Sequence, residues 1–332
     1  MKNISSEQDF LELIDTYFPS ENGHVTLGRG DDCSVLRTNG QLCISKDLFI
    51  ENVHFRRSYF SPADIGYKSL AVNISDIVAM GGVPKAFALG LIVPDGLGKE
   101  YWDSLLKEMA KLANKTGIIL AGGDLCKGPS LGISVTVWGE PYRAEGLDVT
   151  DEGRFLTRGN AKPGDILFIH GSLGLARTGL LLLEETGMSA NKDYPASIQA
   201  HLRPEISIET GKALSASPAV TGLMDLSDGL ARDLPRFIDC CETAFGAEIS
   251  LPEEILHREI LKYAKAKNIS AEEHAFRGGE DYALFGAASA DKFKELSDNV
   301  DGIIPIGALT DKSEIILNGK QFIEKGFDHF SG

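Results

Sequence analysis

Aspartate side chains recur in this chain next to apolar or glycine-rich segments. Asp76 lies inside an apolar segment, and Asp225 closes another. The other acids in such positions are Asp31, Asp32, Asp47, Asp124, Asp228, Glu280 and Asp281. Carboxylate oxygens are preferred protein ligands of divalent cations such as Mg²⁺. The pattern therefore favours a site in which acids from several separated segments hold divalent cations.

The segment around Asp76, residues 61–84, predicts a helix that is buried on nearly every side. Ser61 is a candidate N-cap with Asp64 three residues later, and a Gly-Gly pair followed by proline marks the end. Apolar side chains cover most of the helix, so we expect Asp76 and its neighbour Asn73 to be enclosed. An enclosed carboxylate needs a partner. In this segment alone a structural pair with Arg or Lys is slightly favoured over a metal ion, and the other acidic segments reverse that order.

A predicted strand over residues 41–50 contributes a further acid. Ser45 and Asp47 are two residues apart and should point to the same face of the strand. Lys46 lies between them, so alternation turns it to the opposite face unless the strand end breaks the pattern. His54 follows the strand, and a single histidine there is more often a hydrogen-bonded structural residue than a catalytic one.

Turn chemistry offers another explanation for some of these acids. Asp31 and Asp32 follow two glycines and, taken alone, are better explained by a polar hairpin turn. Asp228 stands at the opening of a predicted helix that Ser227 could cap, which is ordinary chemistry for a helix start. Asp225 ends an apolar strand and has no capping role. A bound cation explains Asp225 and Asp228 together better than capping does.

These acids need a scaffold of helices and strands, which the hydrophobic periodicity predicts along the chain. The predicted helices cover residues 7–18, 61–84, 99–116 and 175–186, and the predicted strands cover 25–36, 41–50, 85–93, 118–129, 131–139, 165–170 and 221–225, with an Asn-Gly hairpin at 315–322. The strand over 118–129 is expected to end in a glycine turn around Asp124. The apolar pattern fades between residues 140 and 153, which predicts a domain boundary there.

Composition and charge restrict the class of protein. The chain has 332 residues, 43% of them hydrophobic, which is enough for two domain-sized cores. Its formal net charge of −15 argues against nucleic acid or an anionic membrane as a partner. Five cysteines without a CxxC pair indicate neither a disulfide framework nor a zinc site. No apolar run reaches the ~18 residues of a membrane span, so we expect a cytoplasmic protein.

Eight sequence motifs, in order and from end to end, resemble those of the thiamine-monophosphate kinases. They are GRGDDCSVL, the SKD of CISKDLFIENVHF, DIGYKSLAVNISDIVAMGGVP, GGDLCKGP, AKPGDILFIHGSLG, MDLSDGLARDL, GGEDYALF and the terminal GFDHF. The resemblance implies an α+β protein with two α/β domains of the aminoimidazole ribonucleotide synthetase-like fold. Residues 1–145 would bind metal and ATP and pair their sheet with that of a second subunit in a homodimer. Residues 146–332 would close the active-site cleft.

The resemblance also implies the reaction, in which ATP phosphorylates thiamine monophosphate directly to thiamine diphosphate without a covalent enzyme intermediate. Two phosphates that approach each other repel, and several Mg²⁺ ions would screen them. The acceptor oxygen is already ionised near neutral pH, so positioning and charge stabilisation should suffice. No residue is therefore expected to act as a general base.

Carried over by matching position, the motifs assign roles to individual residues. The magnesium site would comprise Asp32, Ser45, Lys46, Asp47, Asp76, Asp124, Asp225 and Asp228. ATP would contact Gly123, Asp124, Arg158 and Ser227. Thiamine monophosphate would contact His54, Glu280 and Phe327.

The chain departs from the family pattern at three places. Lys46 stands where the family usually has a threonine beside the metals, and an ammonium group has no lone pair for Mg²⁺. Its charge could replace part of the role of one ion, or its side chain could point away from the site. Leu125 and Cys126 replace two threonines after GGD, and Phe327 keeps an aromatic ring without a polar edge.

Two other classes of protein would share the acids. A related enzyme that phosphorylates a selenium, carbonyl or amide acceptor typically adds a reactive cysteine or selenocysteine near one terminus. Here the first cysteine is Cys33 and the tail FDHFSG contains none. A protein that only binds divalent cations would show metal binding without dependence on a nucleotide.

Overall fold

The computed structural model describes residues 6–18, 24–27, 33–38, 40–143, 153–241 and 245–322. The chain divides into an N-terminal unit, Met1–Val78 with Gly82–Gly153, and a C-terminal unit, Ala79–Gly81 with Arg154–Gly332. The boundary predicted between residues 145 and 146 lies outside the described residues. The roles expected of the two domains remain predictions.

Most of the N-terminal unit is a four-stranded sheet with two long helices. Its elements are α1 (Glu7–Tyr17), β1 (Val25–Leu27), β2 (Val35–Leu36), β3 (Cys43–Ile50), α2 (Pro62–Ala79), β4 (Gly82–Val93), α3 (Lys99–Thr116), β5 (Ile119–Lys127) and β6 (Gly132–Pro141). The strand order is β3-β6-β4-β5, and β4 with β5 is a parallel pair whereas β6 is antiparallel to both neighbours. β1 and β2 form a separate antiparallel ribbon.

Helix α2 begins as its sequence predicts. The Ser61 hydroxyl accepts a hydrogen bond from the Asp64 N–H, and the Asp64 carboxylate accepts one from the Ser61 N–H, each at 3.2 Å. This reciprocal capping satisfies two amides that have no partner within the helix. Apolar residues such as Leu70 are fully buried. At Gly66 the helix passes so close to α3 that a Cβ would collide with the Leu105 carbonyl.

Strand β5 continues through the glycines at which a turn is predicted. Asp124 stands within the strand, opposite Gly90 of the parallel strand β4. A Cβ on Gly123 would collide with the carbonyl of Leu89. The glycines therefore permit two backbones to approach closely, a use that the sequence does not distinguish from a turn. The predicted turn around Asp124 is wrong.

The C-terminal unit is a seven-stranded sheet with seven α-helices in the range that the structure describes. Its elements are β7 (Ile166–His170), α4 (Leu175–Thr186), α5 (Pro195–Leu202), α6 (Ile208–Ala216), β8 (Val220–Asp225), α7 (Leu230–Asp239), β9 (Gly246–Ile249), α8 (Arg258–Lys267), α9 (Ala271–Phe276), β10 (Leu284–Ala288), α10 (Phe293–Asn299), β11 (Ile303–Thr310), β12 (Ile315–Leu317) and β13 (Lys320–Gln321). The strand order is β13-β12-β9-β11-β7-β10-β8, and only the β9–β12 pair is parallel.

The core of this unit lies between the central strands and α7. Leu167, Met224 and Phe285 come from β7, β8 and β10, and all are buried with Phe237 of α7. The rings of Phe237 and Phe285 meet edge to face with centroids 5.1 Å apart. The end of β8, where Asp225 lies, is therefore supported by a close-packed apolar core.

Helix α7 starts later than the sequence predicts. Its N-cap is Gly229 at a φ of 92°, a backbone conformation that glycine adopts readily and other residues rarely do. Ser227 therefore does not cap this helix, and that prediction is wrong. The side chain of Asp233 instead accepts a hydrogen bond at 3.0 Å from the Asp228 N–H.

The predicted α+β class is confirmed, and so is the Asn-Gly hairpin between β12 and β13. Among the described residues, no helix combines the length and the apolar character that crossing a membrane requires.

Candidate functional site

Strand β3 and helix α2 bring polar side chains together in the N-terminal unit. The Ser45 hydroxyl donates a hydrogen bond to Oδ2 of Asp76. The Asp47 N–H donates to the Asn73 amide oxygen at 3.1 Å, and the Asn73 amide nitrogen donates to the Ser69 carbonyl at 3.0 Å. The strand face shared by Ser45 and Asp47 is therefore the face against which α2 packs, as alternation predicts.

Burial differs among these side chains. Asn73 is 1% exposed, whereas Ser45, Asp47 and Asp76 are half-buried. The expectation of an enclosed residue is thus confirmed for Asn73 and wrong for Asp76, because Asp76 meets the polar part of β3 and not the apolar core. Burial raises the pKa of the Asp47 carboxyl above its ordinary value. A cation bound there would reverse that shift, because positive charge stabilises the carboxylate.

Lys46 lies on the other face of β3. Its neighbours on that face, Ile44 and Leu48, are 62% and 53% exposed, and Lys46 is exposed as well. In the sheet register Lys46 stands opposite Thr136. The structure thus favours the interpretation in which the lysine points away from Ser45 and Asp47.

His54 follows β3 in a turn that orients its ring. Its Nδ1 accepts a hydrogen bond at 3.0 Å from the N–H of Ile50, so a neutral ring carries its proton on Nε2. The ring also stacks on Phe49, with centroids 6.1 Å apart and planes inclined at 27°. His54 is thus a fixed hydrogen-bond donor at Nε2.

The two residues of β5 that are predicted to contact ATP are accessible to solvent. Gly123 and Asp124 are both exposed. The predicted metal ligand Asp32 and the predicted substrate contact Phe327 lie outside the described residues.

In the C-terminal unit, the loop before β10 packs on the turn between β8 and α7. The Glu280 N–H donates to the Ser227 carbonyl at 2.8 Å, and the Tyr282 N–H donates to the Leu226 carbonyl at 2.9 Å. Glu280 and Tyr282 have φ values of 64° and 50°, which residues with a side chain rarely adopt. The predicted nucleotide contact Ser227 and the predicted substrate contact Glu280 are therefore neighbours.

Asp281 anchors this loop to helix α4. Its carboxylate accepts hydrogen bonds from the N–H groups of Gly174 and Ala176, at 2.5 and 2.9 Å. Burial raises the pKa of Asp281 to about 7, although these amide hydrogen bonds act in the opposite direction. The sequence indicates Asp281 only as an acid next to Glu280, whereas the structure shows that it caps a helix.

Arginines of α7 lie beside two further acids of this unit, Asp228 and Asp233. Oδ2 of Asp228 lies 2.6 Å from Nη1 of Arg236 and 3.6 Å from Nε of Arg232. Asp233 is buried, and burial followed by the charge of Asp228 raises its pKa to about 7. Asp225, at the end of β8, is 5% exposed. Asp228 thus has the cationic partner that a structural role requires, and no local sequence pattern marks these arginines as its partners.

Arg158, a predicted nucleotide contact, lies before β7. Its carbonyl accepts a hydrogen bond from the Cys241 thiol at 3.4 Å, and it faces the position that a side chain on Gly222 of β8 would occupy. The structure therefore places the Arg158 backbone beside β8, the strand that ends at Asp225.

The chemistry of the donors fits Mg²⁺, which prefers carboxylate, hydroxyl and water oxygens. In the N-terminal unit these donors are Ser45, Asp47 and Asp76. Within the described ranges, no three His, Cys, Asp or Glu side chains lie close enough together to hold a metal ion by themselves.

The sequence of this chain is similar to those of known proteins. Residues 30–140 match the family model described as AIR synthase related protein, N-terminal domain. The thiamine-monophosphate kinase of Bacillus subtilis is 34% identical, with 97% of this chain and 99% of that protein covered. The thiamine-monophosphate kinase of Haemophilus influenzae is 31% identical, with 96% and 97% covered.

Solved structures show the same fold. The structure of AaThiL complexed with AMPPCP and TMP superposes with a TM-score of 0.77 at 29% identity and covers 98% of this chain and 97% of that one. The two-domain fold of the aminoimidazole ribonucleotide synthetase superfamily, predicted from the motifs, is confirmed.

Proposed function

We propose that this chain, which belongs to the thiamine-monophosphate kinase family, transfers the γ-phosphoryl group of ATP to the phosphate of thiamine monophosphate and so produces thiamine diphosphate. The observation that carries the proposal is the set of oxygen donors between β3 and α2. There the Ser45 hydroxyl donates a hydrogen bond to the Asp76 carboxylate, and Asp47 lies on the same face of β3 as Ser45. The relative AaThiL, complexed with AMPPCP and TMP, supports the same pair of substrates.

Two groups of residues would hold Mg²⁺. The first consists of Ser45, Asp47 and Asp76 with Asp32 and Asp124, and the second of Asp225 and Asp228. Bound there, Mg²⁺ would neutralise charge on the phosphates and bring them into reach of each other. Lys46 is left out of the set because it is exposed on the opposite face of β3. Arg236 competes for Asp228, so this ligand requires a shift of the guanidinium.

The remaining residues would bind the two substrates. Gly123, Arg158 and Ser227 are proposed contacts of ATP. His54 would donate from Nε2 to a phosphate oxygen, because its Nδ1 is already occupied by the Ile50 N–H. Glu280 would bind the thiamine part of the acceptor, whose thiazolium ring is cationic, and Phe327 would add an aromatic contact.

The chemical step needs no base from the protein. The acceptor is a phosphate whose oxygen is ionised near neutral pH, so the residues contribute position and charge stabilisation. A histidine that accepts a hydrogen bond at Nδ1 and donates from Nε2 suits phosphate binding. Direct transfer from ATP to the acceptor follows from this set of roles.

We also propose a homodimer that forms through the four-stranded sheet of the N-terminal unit. The outer face of β3 exposes Ile44 and Leu48, which stand in register with Trp138 and Ser134 of β6. A second subunit that covered Ile44 and Leu48 would remove these two apolar side chains from water. We place the enzyme in the cytoplasm, where ATP is available and its free thiols stay reduced.

The test is a coupled assay of ADP release with Mg-ATP and thiamine monophosphate, with thiamine as the alternative acceptor. We expect ADP release with thiamine monophosphate only. Release with thiamine alone, or with neither, would contradict the proposal. Calorimetry with ATP in the presence and absence of Mg²⁺ separates a kinase from a protein that binds only cations, since only the kinase requires both for tight binding.

A further inference from the structure

A buried histidine lies beside the proposed substrate carboxylate. Nδ1 of His201 on α5 is 3.0 Å from Oε2 of Glu280. His201 is 1% exposed, whereas the Glu280 side chain is 28% exposed. The carboxylate is therefore partly accessible to a ligand, and the imidazole is not.

Backbone hydrogen bonds hold the turn that carries Glu280, but they do not determine the orientation of its side chain. The N–H groups of Glu280 and Tyr282 donate to the carbonyls of Ser227 and Leu226, and both donors have positive φ. Residues with side chains adopt such values at a cost in energy, and they persist where surrounding contacts hold them. One of the groups that the carboxylate meets is the ring of His201, which contacts Oε2.

Helix α5 is a rigid support for this histidine. The buried carboxylate of Glu259 accepts hydrogen bonds from the N–H of Ala196 at 3.2 Å and from the N–H and hydroxyl of Ser197, both at 2.8 Å. A Cβ on Gly179 of α4 would collide with the Ser197 carbonyl, so the two helices are in close contact. The helix that bears His201 is thus fixed at its first turn and along one side.

We infer that His201 is a positioning residue, which holds the carboxylate of Glu280 in the orientation that binds the thiamine part of the substrate. Nδ1 must carry a proton to contact a carboxylate favourably, and it does so in the cationic ring and in one neutral tautomer. A carboxylate that is already oriented loses less side-chain freedom on binding. The inference rests on the proposed function, because it assigns His201 to the substrate contact of that reaction.

The experiment compares two amide substitutions at this position. In His201→Asn the amide nitrogen takes the place of Nδ1, and in His201→Gln it takes the place of Nε2, so only the first keeps a donor toward Glu280. We expect His201→Gln to raise KM for thiamine monophosphate about tenfold, with kcat and KM for ATP within about twofold of wild type. His201→Asn should stay within about twofold of wild type in all three.

The matched control is His274→Gln. His274 is a second buried histidine of this unit, 6% exposed, whose Nε2 lies 2.9 Å from the Thr178 hydroxyl. Its substitution should leave KM for thiamine monophosphate unchanged. Circular dichroism and the melting midpoint establish that each variant is folded.

The results distinguish failure of the positioning role of His201 from failure of the proposed function. An active wild type with equal KM values for His201→Asn and His201→Gln overturns the positioning role alone. A double variant His201→Gln/Glu280→Ala in which the two effects on KM multiply also overturns it, since a residue that acts through Glu280 has no effect once Glu280 is removed. A wild type that does not phosphorylate thiamine monophosphate overturns the proposed function and this inference with it.

Discussion

Ser45 on β3 donates its hydroxyl hydrogen to the carboxylate of Asp76 on α2. The strand and the helix that carry the proposed metal ligands are therefore joined through those ligands. A change at either residue alters the local contact as well as the site, so a test must separate loss of charge from loss of structure.

Asp76→Asn is expected to lower kcat/KM by at least about 100-fold while the protein stays folded. The amide keeps the shape of the side chain and can still accept a hydrogen bond from Ser45, but it lacks the charge with which Asp76 is proposed to hold Mg²⁺. The measurement is steady-state kinetics with thiamine monophosphate, together with a melting curve.

Asp64→Asn is the control for this change, since Asp64 is an aspartate at the exposed start of the same helix. It should cost up to about 1 kcal/mol of stability through weakened capping and leave turnover intact. A folded Asp76→Asn variant with near-normal turnover would contradict the metal role, and parallel losses of stability and activity would point to a structural pair.

Lys46→Thr is expected to leave the Mg²⁺ dependence of kcat/KM unchanged. Lys46 is exposed on the face of β3 opposite to Ser45 and Asp47, so its ammonium group has no part in their charge balance. Titrations of activity with Mg²⁺ should superimpose for wild type and variant. Ser45→Ala is the comparison, and its curve should shift to higher Mg²⁺; a shift for Lys46→Thr would place the lysine in the metal site.

Ile44→Glu is expected to break the proposed dimer. Ile44 is 62% exposed in the single chain, and a carboxylate there would have to be buried between two sheets. Light scattering should give about twice the 35.8 kDa chain mass for wild type and the chain mass for the variant. Ile269→Glu, at a 47% exposed isoleucine of the C-terminal unit, should remain dimeric. A monomeric wild type at micromolar concentration would refute the assembly.

His274 should make the protein less stable in acid. Burial lowers the pKa of His274 from 6.5 to about 4, and the charge of Arg177 acts in the same direction. Between these values the unfolded chain binds more protons than the folded one, so the free energy of unfolding falls as the pH drops through 6.5. The expected loss from this residue between pH 7 and pH 5 is about 2 kcal/mol.

Urea unfolding at the two pH values measures this effect in wild type and in His274→Gln. The variant lacks the titrating group, so its stability should fall less between pH 7 and pH 5. Equal falls in the two proteins would show that His274 is not the group responsible.

Several of the regular elements follow from the sequence because their signals are local. Helices α3 and α4 have the predicted bounds, and α2 begins at the predicted cap. The errors at β5 and α7 arise where glycine has more than one use. Gly123 allows β5 to lie close to the backbone of β4. Gly229 is the N-cap of α7, so this helix begins later in the chain than predicted.

The site is only partly predictable for a related reason. The acids are visible in the sequence because carboxylates in apolar surroundings are unusual. The partners His201 and Arg236 are not, since each becomes informative only when the fold brings it to an acid from a different turn or element.

The backbone N–H groups of Gly174 and Ala176 at the start of α4 are capped by Asp281, which comes much later in the chain. Asp281 is 107 residues after Gly174 and 105 residues after Ala176. At a synthesis rate of about 5 to 20 residues per second, this helix leaves the ribosome roughly 5 to 20 s before its capping carboxylate does. Throughout that interval the nascent chain carries the acids of β3 and α2 but no Glu280, so a truncated product from stalled translation would have the proposed metal ligands without the proposed acceptor contact.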